Sequence, residues 1–148
     1  MPVMSKKKQA FILDEDLSDA LKPYLPAASR TTVECGLRKG TKDYPFVLDL
    51  CQNEQAMLVT ADTGFPDHIK RYQREHSDCC WGLLLLPDKE SKQIDVLKRL
   101  KERKIKLKHP KHPALHFDLA RHQNLFVNLR ADPPKVTELC DCEWDDDD

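Results

Sequence analysis

The chain has 148 residues, of which 33 % are charged, 40 % are hydrophobic and 7 % are aromatic. This length is sufficient for one domain with its own core, and no apolar run approaches the roughly 18 residues that a membrane span requires. The amino-terminal stretch MPVMSKKKQ lacks the apolar region and the cleavage site of a signal peptide. We therefore expect a cytoplasmic protein without membrane contact, whose six cysteines are reduced thiols.

The net charge of −1 hides two opposite blocks. Segment 89–112 has ten Lys or Arg residues against three acids, and segment 138–148 has seven acids and no base. A basic block is typical either of a surface that faces a polyanion such as RNA or of an ordinary solvated helix face. The acidic block predicts a solvated tail.

Strand and helix patterns alternate along the chain. Apolar runs typical of strands occur at 10–13, 31–35, 56–61, 81–87 and 124–130. Helical patterns occur at 17–25, 43–55, 66–76, 91–104 and 114–123. Strands that alternate with helices indicate an α/β fold with a mainly parallel central sheet flanked by helices, in three layers.

Several local features complete this prediction. Asp43 stands near the start of its helix with Pro45 in the first turn, and Ser91 is a suitable N-cap for the helix over 91–104. We expect the helix over 17–25 to stop near Pro23 to Pro26, a proline-broken loop over 106–117, and a tail over 131–148 whose final acids are disordered. The aromatic residues expected in the core are Phe11, Phe46, Phe65 and Trp81.

Acidic residues follow two of the predicted strands. In QAFILDEDLSDAL, Asp14, Glu15 and Asp16 come directly after an apolar run, and Asp62 follows AMLVTA. In open α/β sheets, ligands bind outside the carboxyl ends of the strands, where the strand order reverses. If these two strands are neighbours, Asp14 and Asp62 meet at that edge and offer oxygen ligands to a hard cation such as Mg²⁺ or Mn²⁺.

Two other interpretations remain open at this point. The first acids could cap the helix that follows, a role that Asp16 or Ser18 could fill alone. A zinc site is the other interpretation, because imidazole and thiolate are the ligands that zinc prefers. Its candidate ligands are His109, His112, His116, His122, Cys140 and Cys142.

Four motifs in order resemble the small PIN-like family related to toxin–antitoxin ribonucleases. They are FILDEDLS, GLRKGTKDYPFVLDL, AMLVTADTGF and WGLLLLP, and the resemblance covers residues 9–88. It implies a PIN-like three-layer fold and hydrolysis of RNA with the help of Mg²⁺ or Mn²⁺. Carried over position by position, the metal-binding acids are Asp14, Glu15, Asp43 and Asp62, of which Asp14, Asp43 and Asp62 are the catalytic set.

The sequence departs from the family pattern at two positions. Gly64 stands where the family usually has a second acid after the strand, and Asp16 stands where Asn is usual. The loss of one carboxylate leads to the alternative function, a catalytically weak or inactive PIN-like scaffold that binds RNA or a partner protein.

The resemblance also leads to a domain scheme and to partners. We expect a PIN-like core over 9–88, a basic helix with a carboxyl-terminal extension over 89–137, and an acidic tail over 138–148. The expected partners are RNA and, for a toxin, an antitoxin-like protein. A homodimer is compatible with the sequence as well.

Overall fold

The computed structural model describes residues 10–25, 28–76, 82–102, 104–105, 107–108, 110 and 125–139. Within these residues, no helix is long and apolar enough to cross a membrane. The predicted helix over 114–123, the cysteine pair Cys79–Cys80, Trp81 and the four zinc-candidate histidines lie outside the described residues, as does the tail from 140 onward.

One sheet of six strands organises the described part of the chain, in the order β2-β1-β3-β4-β5-β6. The strands are β1 (Ala10–Leu13), β2 (Ser29–Thr31), β3 (Ala56–Thr60), β4 (Leu83–Leu85), β5 (Leu125–Asn128) and β6 (Lys135–Glu138). The first five are parallel to their neighbours, and β6 is antiparallel to β5. The expectation of a mainly parallel α/β sheet is thereby confirmed.

Helices cover both faces of this sheet. They are a 3₁₀ helix (Asp19–Tyr24), a π-helical turn (Asp43–Val47) that continues into α1 (Leu48–Glu54), α2 (Phe65–His76) and α3 (Glu90–Lys101). The 3₁₀ helix and α3 pack on one face, and the π-helical turn, α1 and α2 pack on the other.

The two faces take alternate residues from each strand, because successive side chains of a strand point in opposite directions. In β1, Phe11 and Leu13 face α3, whereas Ile12 faces α1 and α2. In β3, Met57 and Val59 face α3, and Leu58 faces the other side. Because both faces are covered, these strands read as continuous apolar runs.

The expected strand over 31–35 is wrong beyond its first residue. β2 ends at Thr31, because Thr31 and Glu34 form a capping box that starts a turn. The Thr31 hydroxyl accepts a hydrogen bond from the Glu34 amide (3.1 Å), and the Glu34 carboxylate accepts one from the Thr31 amide (2.9 Å).

The interpretation of 131–148 as a tail is wrong over its first part. β6 pairs with β5 along its whole length, with Val127 opposite Val136, and Val136 packs against the core. The sheet therefore continues well past residue 88, and α3 contributes Val96 and Leu97 to the same core. The predicted strand over 124–130 is confirmed by β5.

One expectation about a helix end is corrected and another is confirmed. Lys89, not Ser91, is the N-cap of α3, and the Gln93 side chain donates a hydrogen bond of 2.7 Å to the Pro87 carbonyl at this start. The helix predicted over 17–25 is a 3₁₀ helix that contains Pro23 and ends at Tyr24, within the predicted region from Pro23 to Pro26.

Candidate functional site

The acids that follow β1 and β3 lie at the point where the strand order reverses. From β1 the chain moves to one side to form β2, and it then crosses β1 to form β3 on the other side. β1 and β3 are thus parallel neighbours, with Leu13 opposite Val59, and the Asp14 amide donates a hydrogen bond of 2.9 Å to the Val59 carbonyl. This is the edge at which open α/β sheets bind ligands.

Thr60 connects Asp14 to this edge. Strand alternation directs Asp14 and Thr60 to the same side of the sheet as α1 and α2. The Thr60 hydroxyl donates a hydrogen bond to Asp14 Oδ2 (2.8 Å), and the Glu15 amide donates one to Asp14 Oδ1 (2.9 Å). These two hydrogen bonds fix the Asp14 side chain in one orientation. They also satisfy carboxylate oxygens that are almost completely buried, since the residue is only 3 % exposed.

The same threonine also holds the chain after β3. Thr60 Oγ1 accepts a hydrogen bond of 3.0 Å from the Asp62 amide, and the Gly64 amide donates one of 2.8 Å to Asp62 Oδ1. A Cβ atom at Gly64 would lie 3.2 Å from that carboxylate oxygen. A larger residue at position 64 would therefore press against Asp62, so the glycine suits the carboxylate orientation seen here.

Asp43 and Glu15 come from two different segments. Asp43 is the first residue of the π-helical turn and is half-buried. Glu15 is exposed, and its carboxylate accepts a hydrogen bond of 2.8 Å from the amide of Gly40, whose φ of +84° suits a glycine. Glu15 therefore ties the loop that precedes Asp43 to the end of β1.

The electrostatics show that these carboxylates influence one another. Burial, together with the negative charges of Asp43 and Asp16, raises the pKa of Asp14 to about 6, although the hydrogen bonds from Thr60 and Glu15 oppose the shift. Burial also raises the pKa of Asp43, and the charges of Asp62, Asp16 and Glu15 add to this effect. We refer to Asp14, Glu15, Asp16, Asp43 and Asp62 as the acid cluster.

Lys and Arg side chains do not pair with this cluster in the described part of the chain. No described Lys or Arg forms an ion pair with any of its five members. No three described His, Cys, Asp or Glu side chains lie close enough together to hold one ion as they stand. Mg²⁺, however, usually keeps several waters and uses only one or two protein carboxylates. The donor set therefore fits a hydrated hard cation rather than an ion enclosed by protein ligands.

Three residues at this edge were not predicted from the sequence. They are Thr60, His68 and Arg130. His68, on α2, lowers the pKa of Asp43, and Arg130, after β5, donates a hydrogen bond of 3.5 Å from Nη1 to the Ala61 carbonyl. Thr60 alone had a sequence signal, because strand alternation places it on the same face as Asp14 once β1 and β3 are neighbours.

The capping interpretation of the first acids is not what the structure shows. Ser18 is the N-cap of the 3₁₀ helix, and its hydroxyl accepts a hydrogen bond of 3.1 Å from the Ala20 amide. Asp14, Glu15 and Asp16 all precede this cap and do not cap the helix. They lie instead at the carboxyl end of β1, at the edge of the sheet. Of the cysteines that the structure describes, Cys35 is a free thiol and Cys51 is buried in the core.

No protein-family model, no curated protein and no solved structure matches this chain. The resemblance to PIN-like ribonucleases therefore stays a prediction, carried by the four motifs and by the position of the acids.

Proposed function

We propose that the protein is a metal-dependent ribonuclease of the PIN-like type. The observation that carries the proposal is the acid cluster at the switch point of the sheet, where a buried carboxylate with a pKa of about 6 lies among other acids and no described Lys or Arg forms an ion pair with them. Strongly perturbed carboxylates in such a position are typical of functional sites. A divalent cation at the cluster would offset their mutual repulsion.

One or two of Asp14, Asp43 and Asp62 would bind the ion directly and the others would contact it through its waters, with Glu15 beside them. When bound, Mg²⁺ or Mn²⁺ supplies Lewis-acid chemistry, which lowers the pKa of a water and neutralises charge on a phosphate. Thr60 keeps the Asp14 carboxylate oriented through its hydroxyl. Arg130 places a guanidinium at the same edge, where it can attract the phosphate backbone of RNA.

The alternative is a catalytically weak PIN-like scaffold that binds RNA or a protein. Gly64 favours it, because the position offers only a backbone amide, and that amide is already bonded to Asp62. A toxin role and an antitoxin-like partner stay predictions that depend on the nuclease assignment.

The deciding experiment measures cleavage of an end-labelled single-stranded RNA with Mn²⁺, with Mg²⁺ and with EDTA. We expect cleavage that requires the cation and that is lost in Asp62→Asn. Asp95→Asn is the matched control, since Asp95 is an exposed acid on α3 outside the cluster. Calorimetric titration with Mn²⁺ should show one binding event that Asp62→Asn weakens and Asp95→Asn leaves unchanged.

Cleavage that survives in Asp62→Asn would show that the activity does not belong to this site. Cation binding without cleavage in the wild-type protein would instead support the scaffold alternative.

A further inference from the structure

Exposed cations approach the acid cluster from two sides. The loop over 38–42, which follows β2 in the chain, carries the exposed side chains of Arg38, Lys39 and Lys42. Arg130, also exposed, follows β5 by two residues. In the described part of the chain, none of these four cations forms an ion pair with an acid. Their charges are therefore available to a negatively charged ligand.

A hydrogen bond holds the loop against the cluster. The Gly40 amide donates it, over 2.8 Å, to the carboxylate of Glu15, the residue that follows Asp14 at the end of β1. Lys39 directly precedes this contact, so its Cα atom lies about 3.8 Å from that of Gly40. At the end of the loop, Lys42 directly precedes Asp43. Two of the three cations are thus next to a residue that touches or belongs to the cluster.

Arg130 reaches the cluster from the opposite direction. The Asn128 side chain accepts a hydrogen bond of 3.0 Å from the Arg130 amide and so shapes the turn after β5. The Arg130 guanidinium donates one of 3.5 Å to the Ala61 carbonyl, which follows β3. Because β4 lies between β3 and β5, the side chain crosses the carboxyl end of β4. The carbonyl that it contacts belongs to the same peptide unit as the Asp62 amide.

The sheet order places the acids between the two groups of cations. The loop comes from β2 and contacts the residue after Asp14, whereas Arg130 comes from β5 and contacts the residue before Asp62. A nucleic acid strand carries a negative charge on every phosphate, so a phosphate at the acids would have charged neighbours on both sides. Mg²⁺ is commonly held by one or two carboxylates together with phosphate oxygens. A bound cation would thus join such a phosphate to the acids.

We propose that a single strand of RNA crosses the carboxyl edge of the sheet. The phosphate to be cleaved lies at the acid cluster, the phosphates on one side contact the 38–42 loop, and those on the other side contact Arg130. The inference deepens the proposed function and rests on it for the position of the cut. It also brings the turn after β5, which lies outside the region of the PIN-like resemblance, into the site.

The first test measures the affinity for a fluorescent single-stranded RNA in EDTA, where cleavage does not interfere, at several salt concentrations. The loop variant combines Arg38→Gln, Lys39→Gln and Lys42→Gln, and the second variant is Arg130→Gln. Each should make the slope of log affinity against log salt shallower by at least about 0.7, the value for one phosphate contact. Because the two sites are independent, their combination should give the sum.

Two further variants control this measurement. Arg130→Lys should keep the wild-type slope, since it keeps the charge. Arg74→Gln should also keep it, because Arg74 is exposed in the last turn of α2, whereas that helix begins at the carboxyl edge. A slope that stays unchanged in the loop variant or in Arg130→Gln would overturn the crossing path. Polyglutamate that competes as well as RNA of equal charge would also overturn it and would assign these cations to an acidic protein.

A second readout locates the strand directly. The photo-crosslinking residue p-benzoylphenylalanine is introduced in place of Lys39 or of Arg130, and the crosslinked nucleotides are mapped on an RNA whose cleavage position is known. We expect crosslinks from the two positions on opposite sides of the cleaved bond. Crosslinks from both positions on the same side would contradict the proposed path.

Failure of this inference and failure of the proposed function give different results. Mn²⁺-dependent cleavage that Asp62→Asn abolishes, together with unchanged salt slopes in the loop and Arg130 variants, refutes the crossing path alone. Shallower slopes in both variants without any cleavage refute the ribonuclease assignment alone, and the RNA-binding edge then stands by itself.

Discussion

At the scale of single residues, the ionised carboxylate of Asp14 lowers the free energy of unfolding, because it is buried near other negative charges. Its pKa rises from 3.8 to about 6 because the carboxyl group is buried and lies near other acids. The folded protein therefore binds a proton at Asp14 more tightly than the unfolded chain does. This contribution favours folding at low pH and is lost as the pH rises through about 6.

We predict that Asp14→Asn removes this pH dependence. A shift of about two pKa units corresponds to roughly 3 kcal/mol. In EDTA, the free energy of unfolding of the wild-type protein should therefore fall by about 3 kcal/mol relative to the variant between pH 4 and pH 8. Urea unfolding at several pH values measures this difference. Curves that stay parallel across the range would contradict the raised pKa.

The acids themselves were predictable from the sequence, but their environment was not. The shared edge of Asp14 and Asp62 was predictable because apolar runs identify β1 and β3 and because the carboxyl ends of neighbouring parallel strands lie at the same edge. The bond between Thr60 and Asp14 depends on the register of the two strands, which no local pattern reveals. Phe46 was placed in the core by its hydrophobicity, yet the adjacent Val47 is the residue that the turn buries.

At the scale of elements, the hydrophobic pattern of the sequence identified the apolar strands correctly. It failed where hydrogen bonds or tertiary pairing determine where a strand begins or ends. β3 and β4 are continuous apolar runs and lie where the sequence predicts them. β2 ends early because Thr31 and Glu34 form a capping box that turns the chain away from the sheet. β6 was not predicted, because KVTE is short, follows two prolines and shows only a weak alternation of polar and apolar residues. Its strand conformation depends on its pairing with β5, which is a tertiary contact.

We predict that β6 contributes to stability through Val136. This side chain packs against the core on the face of α3, whereas Lys135 beside it is exposed. Val136→Asp should lower the free energy of unfolding by about 2 kcal/mol, because it places a charge among apolar groups. Lys135→Asp is the control and should change it by less than about 0.5 kcal/mol. Equal effects measured by urea unfolding would show that β6 is only loosely attached.

At the scale of the whole molecule, the acid cluster and the basic end of α3 lie at opposite edges of the sheet. α3 starts after β4 at the carboxyl edge and runs back for about 18 Å. At its far end, Lys101 Nζ donates a hydrogen bond of 3.0 Å to the Pro23 carbonyl, and Lys98 lies 6.0 Å from the centre of the Tyr24 ring. The basic turn is therefore separate from the acid cluster.

We predict that this basic turn adds only salt-dependent affinity for RNA. In the double variant Lys98→Glu and Lys101→Glu, the slope of log affinity against log salt should become shallower by about 1.4, since each neutralised phosphate contributes roughly −0.7. An unchanged slope would identify the basic turn as an ordinary solvated helix end.

The two edge strands of the sheet, β2 and β6, affect the tendency of the protein to aggregate at high concentration. β2 has three residues with Arg30 at its centre, and the Arg30 guanidinium lies 3.4 Å from the Glu54 carboxylate. β6 has four residues and carries a charged side chain at each end, Lys135 and Glu138. Open strands invite further strands from other molecules, and short, charged edges discourage such growth. The sheet is thus protected on both sides against aggregation, and Arg30→Val would remove that protection from one of them.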